Sequence, residues 1–125
     1  MQPLTVVLLE ADARIAQSLV SALSQAFTSV QRVHSLGELR NRIAKNRAEV
    51  AILDIEAAPL PEVEHLSHDF PGACIVCTHR VADEEMWAAA LQAGAADVCP
   101  ADDVAGIVRA AQSNASRRRP AVAAA

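Results

Sequence analysis

Several kinds of residue are scarce or missing in this sequence of 125 residues. It contains no tyrosine, one tryptophan, two phenylalanines and four glycines, and Lys45 is its only lysine. With so few glycines there is no glycine-rich loop of the kind that binds nucleotide phosphates, and the turn after the first apolar run reads EADAR. The sequence therefore argues against a nucleotide or flavin site built on such a loop.

Membrane segments and strong positive charge are also lacking. No apolar run is long enough to span a bilayer, and the N-terminus lacks the basic stretch and cleavage site of a signal peptide. We therefore expect a cytoplasmic protein that does not contact a membrane. The net charge of −4 argues against nucleic acid as a partner of this domain.

The three cysteines are an odd number in apolar surroundings. Cys74 and Cys77 form a CxxC pattern, but CIVC is typical of a strand, in which residues three apart point to opposite faces. We therefore expect Cys74, Cys77 and Cys99 to be buried small hydrophobic residues and not a zinc or redox site.

What the sequence does contain is a regular alternation of short apolar runs and amphipathic stretches. The runs predict strands over residues 4–9, 29–34, 50–55, 73–78 and 96–99. The stretches between and after them predict helices that begin near Asp12, Ser35, Pro61, Asp83 and Asp102 or Asp103. Apolar strands alternating with helices predict a parallel sheet covered on both faces, a doubly wound five-stranded α/β domain. We expect residues 1–113 to form this domain, and the arginine- and alanine-rich residues 114–125 to be a tail or the start of a linker.

Polar side chains stand where three of the predicted strands end. Glu10 and Asp12 follow the first strand, Asp54 ends the third, and Thr78 ends the fourth. The carboxyl ends of parallel strands share one edge of the sheet, so these side chains should converge there. Carboxylate oxygens suit a hard divalent cation, and Asp54 would be a reactive carboxylate. Asp12 has an alternative role as a helix cap.

Four segments resemble a known family. VVLLEAD, VAILDIE, IVCTHR and ALQAGAADVCP are similar to segments of the receiver domain of two-component response regulators, the flavodoxin-like module typified by the bacterial chemotaxis regulator. The resemblance covers residues 4–112. It implies that Asp54 accepts a phosphoryl group from a histidine kinase or phosphotransfer protein, that Thr78 is the switch hydroxyl, and that Glu10, Asp12 and Asp54 hold Mg²⁺.

The sequence departs from that family at three places. The second of two adjacent acids is replaced by Ala11, the region DVCPADD lacks the lysine that usually precedes a proline, and Val98 occupies the region of a mobile aromatic residue. We therefore expect an atypical receiver with weak Mg²⁺ binding and weak or phosphorylation-independent switching. A conventional receiver phosphorylated on Asp54 is the alternative, and a small flavodoxin-like cofactor binder is a second one.

The resemblance also implies an interaction surface on the fourth helix, fifth strand and fifth helix. We expect Trp87, Val98 and Val104 to contribute to it, through a homodimer or through contact with an output domain or partner protein. An enzyme is not expected, because the four histidines do not show metal-ligand spacing: His34, His65, His68 and His79.

Overall fold

The computed structural model of the protein describes residues 2–80 and 83–123. Within them, strands and helices alternate along the chain. The strands are β1 (Gln2–Leu9), β2 (Phe27–Val33), β3 (Val50–Asp54), β4 (Cys74–His79) and β5 (Asp97–Pro100). The helices are α1 (Ala13–Ala26), α2 (Leu36–Asn46), α3 (Leu60–Asp69), α4 (Glu84–Gln92) and α5 (Val104–Ala123).

The strands form one parallel sheet in the order β2-β1-β3-β4-β5. The chain moves outward from β1 to β2, then crosses back and continues through β3 to β5 on the other side. The order therefore reverses at β1 and β3, and the carboxyl ends of these two strands border the crevice in which such folds place ligands. This confirms the predicted five-stranded doubly wound α/β architecture.

The core has two layers, one on each face of the sheet, because alternate residues of a strand point to opposite faces. One layer packs α1 and α5 against the sheet through residues such as Leu19 and Ile107, and the other packs α2, α3 and α4 through residues such as Leu39 and Leu66. Every residue of β3 is buried, as expected for a central strand covered on both faces.

Capping residues start the helices where the sequence predicted. The side chains of Asp12, Ser35 and Asp83 each accept a hydrogen bond from a backbone N–H in the first turn of the following helix. At α5 the cap is Asp103, whose Oδ1 accepts from Gly106 N, and not Asp102. Glu38 Oε1 accepts from His34 N. In the usual capping box, the glutamate accepts a hydrogen bond from the backbone N–H of the cap residue. Here Glu38 accepts from the residue before the cap Ser35.

Element bounds differ from the prediction at several strand starts and most of all at the end of the chain. Strand β2 begins at Phe27, two residues before the predicted start, because Phe27 is buried and pairs with Gln2 of β1. Helix α5 continues through most of the predicted tail as far as Ala123. The division between domain and tail at residue 113 remains a prediction, and Met1, Ala124 and Ala125 lie outside the described residues.

The cysteines lie as their pattern predicted. All three are buried and free of disulfides, with Cys77 in the core layer under α2, α3 and α4 and Cys74 and Cys99 in the layer under α1 and α5. Burial also raises the pKa of the Cys77 thiol to about 12, which disfavours the reactive thiolate.

No helix in the described part of the chain is both long enough and apolar enough to cross a membrane.

Candidate functional site

Strands β1, β3, β4 and β5 each place one residue, at the strand end or directly after it, at the carboxyl edge of the sheet. Asp54 pairs with Thr78, and Thr78 pairs with Cys99. Leu9 pairs with Leu53, so Glu10 stands one step further on, beside Asp54. We call Glu10, Asp54, Thr78 and Cys99 the strand-end row. Its members share the sheet face covered by α1 and α5. Glu10, Asp54 and Thr78 each come two residues after a side chain buried in that layer, and Cys99 belongs to the layer itself. The three buried side chains are Leu8, Ile52 and Val76.

Asp54 is held in place by backbone donors from the loops on either side of it. Its Oδ1 accepts from Glu56 N at 2.9 Å, and its Oδ2 accepts from Ala11 N at 3.3 Å. The side chain is only 5 % exposed. Because both oxygens receive N–H groups, the carboxylate is fixed at the rim of the crevice and is not free to turn into the core.

Glu10 is the second buried acid and contacts the first. It is 4 % exposed, and its Oε2 accepts from Asp12 N at 3.0 Å. Its Oε1 is buried and, among the described residues, receives no hydrogen bond from a conventional donor. Burial, followed by a hydrogen bond and charge repulsion involving Asp54, raises the pKa of Glu10 to about 7, against the opposing hydrogen bond from Asp12 N.

These two observations on Glu10 have one physical explanation. Two ionised carboxylates in contact repel each other, and a buried carboxylate loses its hydration. If Glu10 is protonated, its O–H can donate to Asp54, which satisfies the buried oxygen and removes the repulsion. We call Glu10 and Asp54 the acid pair, and its contact favours a proton on Glu10.

Asp12 faces the helix that it caps. Its Oδ1 accepts from Arg14 N at 2.9 Å and from Ile15 N at 3.2 Å. These backbone hydrogen bonds, that from Ile15 first, lower the pKa of Asp12, and the charge of Arg80 adds to the effect. The predicted helix-cap role of Asp12 is therefore present in the structure.

The predicted Mg²⁺ ligands are brought together only in part. The acid pair supplies adjacent carboxyl oxygens, including the orphaned Glu10 Oε1, which are donors of the kind that Mg²⁺ prefers. However, no group of three or more His, Cys, Asp or Glu side chains within the described residues is arranged to hold a metal ion. Ala11 supplies no side-chain oxygen, and Asp12 is engaged by α1. Two of the three predicted carboxylates, those of Glu10 and Asp54, are thus placed to contact a cation. The third, that of Asp12, is not.

Thr78 is adjacent to Asp54 but its hydroxyl is turned toward the backbone. The side chain is 1 % exposed, and Oγ1 donates to Leu53 O at a long 3.4 Å. A hydroxyl with so weak an internal partner can leave it at little cost. Thr78 is therefore placed beside the carboxylate as the predicted switch hydroxyl would be.

Cys99 is the member of the row that sequence reasoning missed. It directly precedes Pro100, the place where the family carries its lysine, and the register sets it next to Thr78. Burial raises the pKa of this thiol to about 11, so the row carries a neutral group at this position. The Cys-Pro pair at the end of the fifth strand is the signal in the sequence that marks this position.

Lys45 is far from the row. It is an exposed residue in the last turn of α2, five residues before β3 begins. Since α2 runs antiparallel to the strands, its last turn lies at the amino edge of the sheet, opposite the row. Lys45, the only lysine of the sequence, therefore lies at the edge of the sheet opposite the acid pair.

Arg80 is the cation nearest to the carboxyl edge on the β4 side. It follows β4 directly, and its Nε lies 3.4 Å from Glu56 Oε2. The guanidinium is mostly exposed and contacts a loop carboxylate, so it does not take the place of a lysine within the row.

The predicted interaction surface has one prominent exposed residue. Trp87 on α4 is 48 % exposed, whereas Val98 is only 7 % exposed and packs in the core layer under α4. Val98 therefore offers little surface to a partner, because its side chain points from β5 into that core layer. Val104 is partly buried. A groove of about 530 Å³ runs between α4 and α5 and is lined by residues that include Trp87, Leu91, Pro100 and Arg109.

Comparisons with known proteins bear on the fold. No protein-family model matches the sequence, and no curated protein matches it. Solved structures do match. A signal receiver domain from Vibrio parahaemolyticus has a TM-score of 0.86 at 12 % identity, over 99 % of this chain and 98 % of that one. A signal receiver domain from Mycobacterium tuberculosis has a TM-score of 0.80 at 20 % identity, over 93 % of this chain and 98 % of that one.

A third example is an orphan response regulator of H. pylori, with a TM-score of 0.78 at 13 % identity over 90 % of this chain and 96 % of that one. These likenesses extend over nearly the whole of each chain, while the identities are low. The chain therefore has the flavodoxin-like, five-stranded fold of response regulator receiver domains.

Proposed function

We propose that this protein is a receiver-like signalling module, and not an enzyme, whose switching is weak or independent of phosphorylation and which acts through protein–protein contacts. The strand-end row carries this proposal. It retains the carboxylate of Asp54 and the hydroxyl of Thr78, but it contains the neutral Cys99 where the resemblance calls for an ammonium group. Electrostatic stabilisation of a transferring phosphoryl group is typically worth about 3 kcal/mol per donor removed, so phosphoryl transfer to Asp54 should be slow.

The acid pair supports the same proposal from the other side of Asp54. A metaphosphate-like group approaching Asp54 meets a neighbouring carboxyl group, and Mg²⁺ lacks a third carboxylate there. Any Mg²⁺ held by the acid pair would neutralise developing negative charge, and weak binding of this ion limits that contribution.

The test is to incubate the protein with Mg²⁺ and either acetyl phosphate or beryllofluoride, and to read modification by intact mass or by NMR shifts. We expect modification of a small fraction of the chains, and none in D54N. The double variant A11D/C99K introduces an acid beside the row and an ammonium group within it, and we expect it to be modified to a greater extent. Stoichiometric modification of the wild-type protein at Asp54 would contradict the proposal.

A conventional receiver remains the second candidate, and one observation favours it. Asp54 and Thr78 are direct neighbours in the register of β3 and β4, with the hydroxyl only weakly bound to Leu53 O. A histidine kinase or phosphotransfer protein would then be the phosphate donor. The experiment above separates the two candidates by the extent of modification.

The output of the module is proposed to pass through the groove between α4 and α5, by a homodimer or by contact with an output domain. Trp87 is an exposed aromatic residue beside this groove, and such residues are frequent contact anchors. The variant W87E/V104E should abolish self-association in sedimentation experiments while it remains folded. Unchanged association by the folded variant would remove this part of the proposal.

A further inference from the structure

The exposed charges in the second half of α2 are positive. Arg42 and Lys45 lie three residues apart on this helix and are therefore neighbours on its surface, and Arg47 follows the helix directly. All three residues are exposed. Arg42 lies 3.8 Å from Glu38, whereas Lys45 and Arg47 form no ion pair with any described residue. We call Arg42, Lys45 and Arg47 the basic edge.

The exposed charges at the start of α4 are negative. Asp83, Glu84 and Glu85 are exposed, and residues 83–103 contain no lysine or arginine. Trp87 comes three residues after Glu84 and four after Asp83, so it is adjacent to both on the helix surface. Within the described part of the chain, it is also the one large hydrophobic residue that is exposed. We call Asp83, Glu84, Glu85 and Trp87 the acidic edge.

The fold places these two edges on opposite sides of the molecule. Helix α2 packs on β1 and β2, α4 packs on β5, and β2 and β5 are the two outer strands of the sheet. Four strand spacings of about 4.8 Å place the outer strands about 19 Å apart, which is too far for an ion pair. Both helices cover the same face of the sheet. The two edges therefore do not pair within one chain, but they can meet when two copies lie side by side.

We propose that copies of this chain associate head to tail, with the basic edge of one copy against the acidic edge of the next. The two edges are complementary in charge, since three cations meet three carboxylates. An arginine guanidinium can also stack on the exposed ring of Trp87. The inference goes beyond the proposed function, which assigns no contact to α2.

A contact between two different edges is heterologous. Each copy at the end of such an assembly keeps one unpaired edge, so association continues beyond a dimer. All charges of the contact are exposed, and salt therefore screens it. An exposed ion pair changes an association constant by up to about fivefold. Neutralising the three cations of the basic edge should weaken association by about tenfold or more at low ionic strength.

The experiment is sedimentation of the full chain at low ionic strength, with the emission of Trp87, the only tryptophan, as a reporter at the contact. The variant R42Q/K45Q/R47Q removes the basic edge. The variant E84Q/E85Q/W87Q removes most of the acidic edge and contains no tryptophan. The control R14Q/D102N changes two exposed charges outside both edges. Thermal unfolding checks that each variant is folded.

We expect the average mass of the wild-type protein to rise with concentration beyond that of a dimer, and added salt to reverse the rise. At the same concentrations each edge variant alone should be monomeric, and R14Q/D102N should match the wild type. An equimolar mixture of the two edge variants should form a one-to-one dimer, because each supplies the edge that the other lacks. The tryptophan emission, which comes only from R42Q/K45Q/R47Q, should shift on mixing.

Undiminished association of R42Q/K45Q/R47Q would overturn the inference and leave the contact proposed at the groove between α4 and α5, which does not use the basic edge. A wild-type protein that stays monomeric at low ionic strength, or a mixture of the edge variants that forms no dimer, would overturn it as well. None of these results bears on the modification of Asp54, which the mass measurement decides.

Discussion

The two halves of the strand-end row differ in how they handle charge. On the β1–β3 side, Glu10 and Asp54 are two buried acids in contact. Backbone N–H groups donate to both carboxyl groups, and the raised pKa of Glu10 keeps that group neutral up to a higher pH. On the β4–β5 side, Thr78 and Cys99 are neutral and buried. The β1–β3 half of the row thus keeps its acidic side chains, and the β4–β5 half contains no positively charged side chain that could pair with them.

A fold can therefore keep the position of a reactive carboxylate while the residues beside it change. Asp54 is fixed by Ala11 N and Glu56 N, which are backbone groups and do not depend on side-chain identity. Its chemistry would depend on side chains at the positions of Ala11 and Cys99. Substitutions in one half of the row at a time therefore separate the two contributions.

The largest effect is expected from removing the Asp54 carboxylate. In D54A, Ala11 N and Glu56 N lose their acceptor, and an unsatisfied buried donor costs about 1–3 kcal/mol. D54A should therefore lower the free energy of unfolding, measured with urea, by about 2 kcal/mol. D54N keeps an acceptor oxygen and should lose clearly less. Equal losses in the two variants would show that these hydrogen bonds contribute little.

The next largest effect concerns pH and Glu10. Because its pKa is raised from 4.5 to about 7 on folding, Glu10 favours the folded state fully below its unfolded pKa, and this contribution is lost as the pH rises through about 7. Without divalent cations, the wild-type protein should be less stable at about pH 8 than at about pH 5 by roughly 1–2 kcal/mol from this group.

The variant E10Q removes this titration and mimics the protonated form. At about pH 8 it should be more stable than the wild type by roughly 1–2 kcal/mol, with a smaller advantage at about pH 5. E85Q, at an exposed position on α4, is the control and should leave the pH dependence unchanged. A parallel pH profile for E10Q and the wild type would contradict the assignment of the effect to Glu10.

A smaller effect is expected at the cap of α1. In D12A, Arg14 N and Ile15 N lose the side-chain oxygen that they donate to, and the melting temperature should fall by a few degrees. D12N retains an acceptor oxygen and should melt close to the wild type. If D12N falls as far as D12A, charge and not the hydrogen bond is what stabilises this helix start.

The smallest effect is expected on the neutral half of the row. The Thr78 hydroxyl makes only a long hydrogen bond to Leu53 O, so T78V should change the free energy of unfolding by less than about 1 kcal/mol. T78S, which keeps the hydroxyl and loses the methyl group, separates packing from hydrogen bonding. If T78V lowered the free energy of unfolding by more than D54A does, the neutral half of the row would contribute more to stability than the acidic half, which would contradict this comparison.

Much of this arrangement could be predicted because it depends on local patterns. Apolar runs located the strands, Asp12 and Asp83 marked helix starts, and the parallel topology placed Asp54 beside Thr78. What escaped prediction depends on side-chain direction and on neighbours across the sheet. The inward position of Val98 and the place of Cys99 in the row follow from strand register, which a single sequence does not specify at that resolution.

The most direct test of the account is the titration of the Glu10 carboxyl group by carbon-detected NMR in the absence of divalent cations. The Glu10 carboxyl group should titrate with an apparent pKa near the value of about 7 that burial and Asp54 impose on it. A Glu10 carboxyl that titrates near 4.5, as an exposed glutamate would, contradicts a proton held on Glu10 beside Asp54.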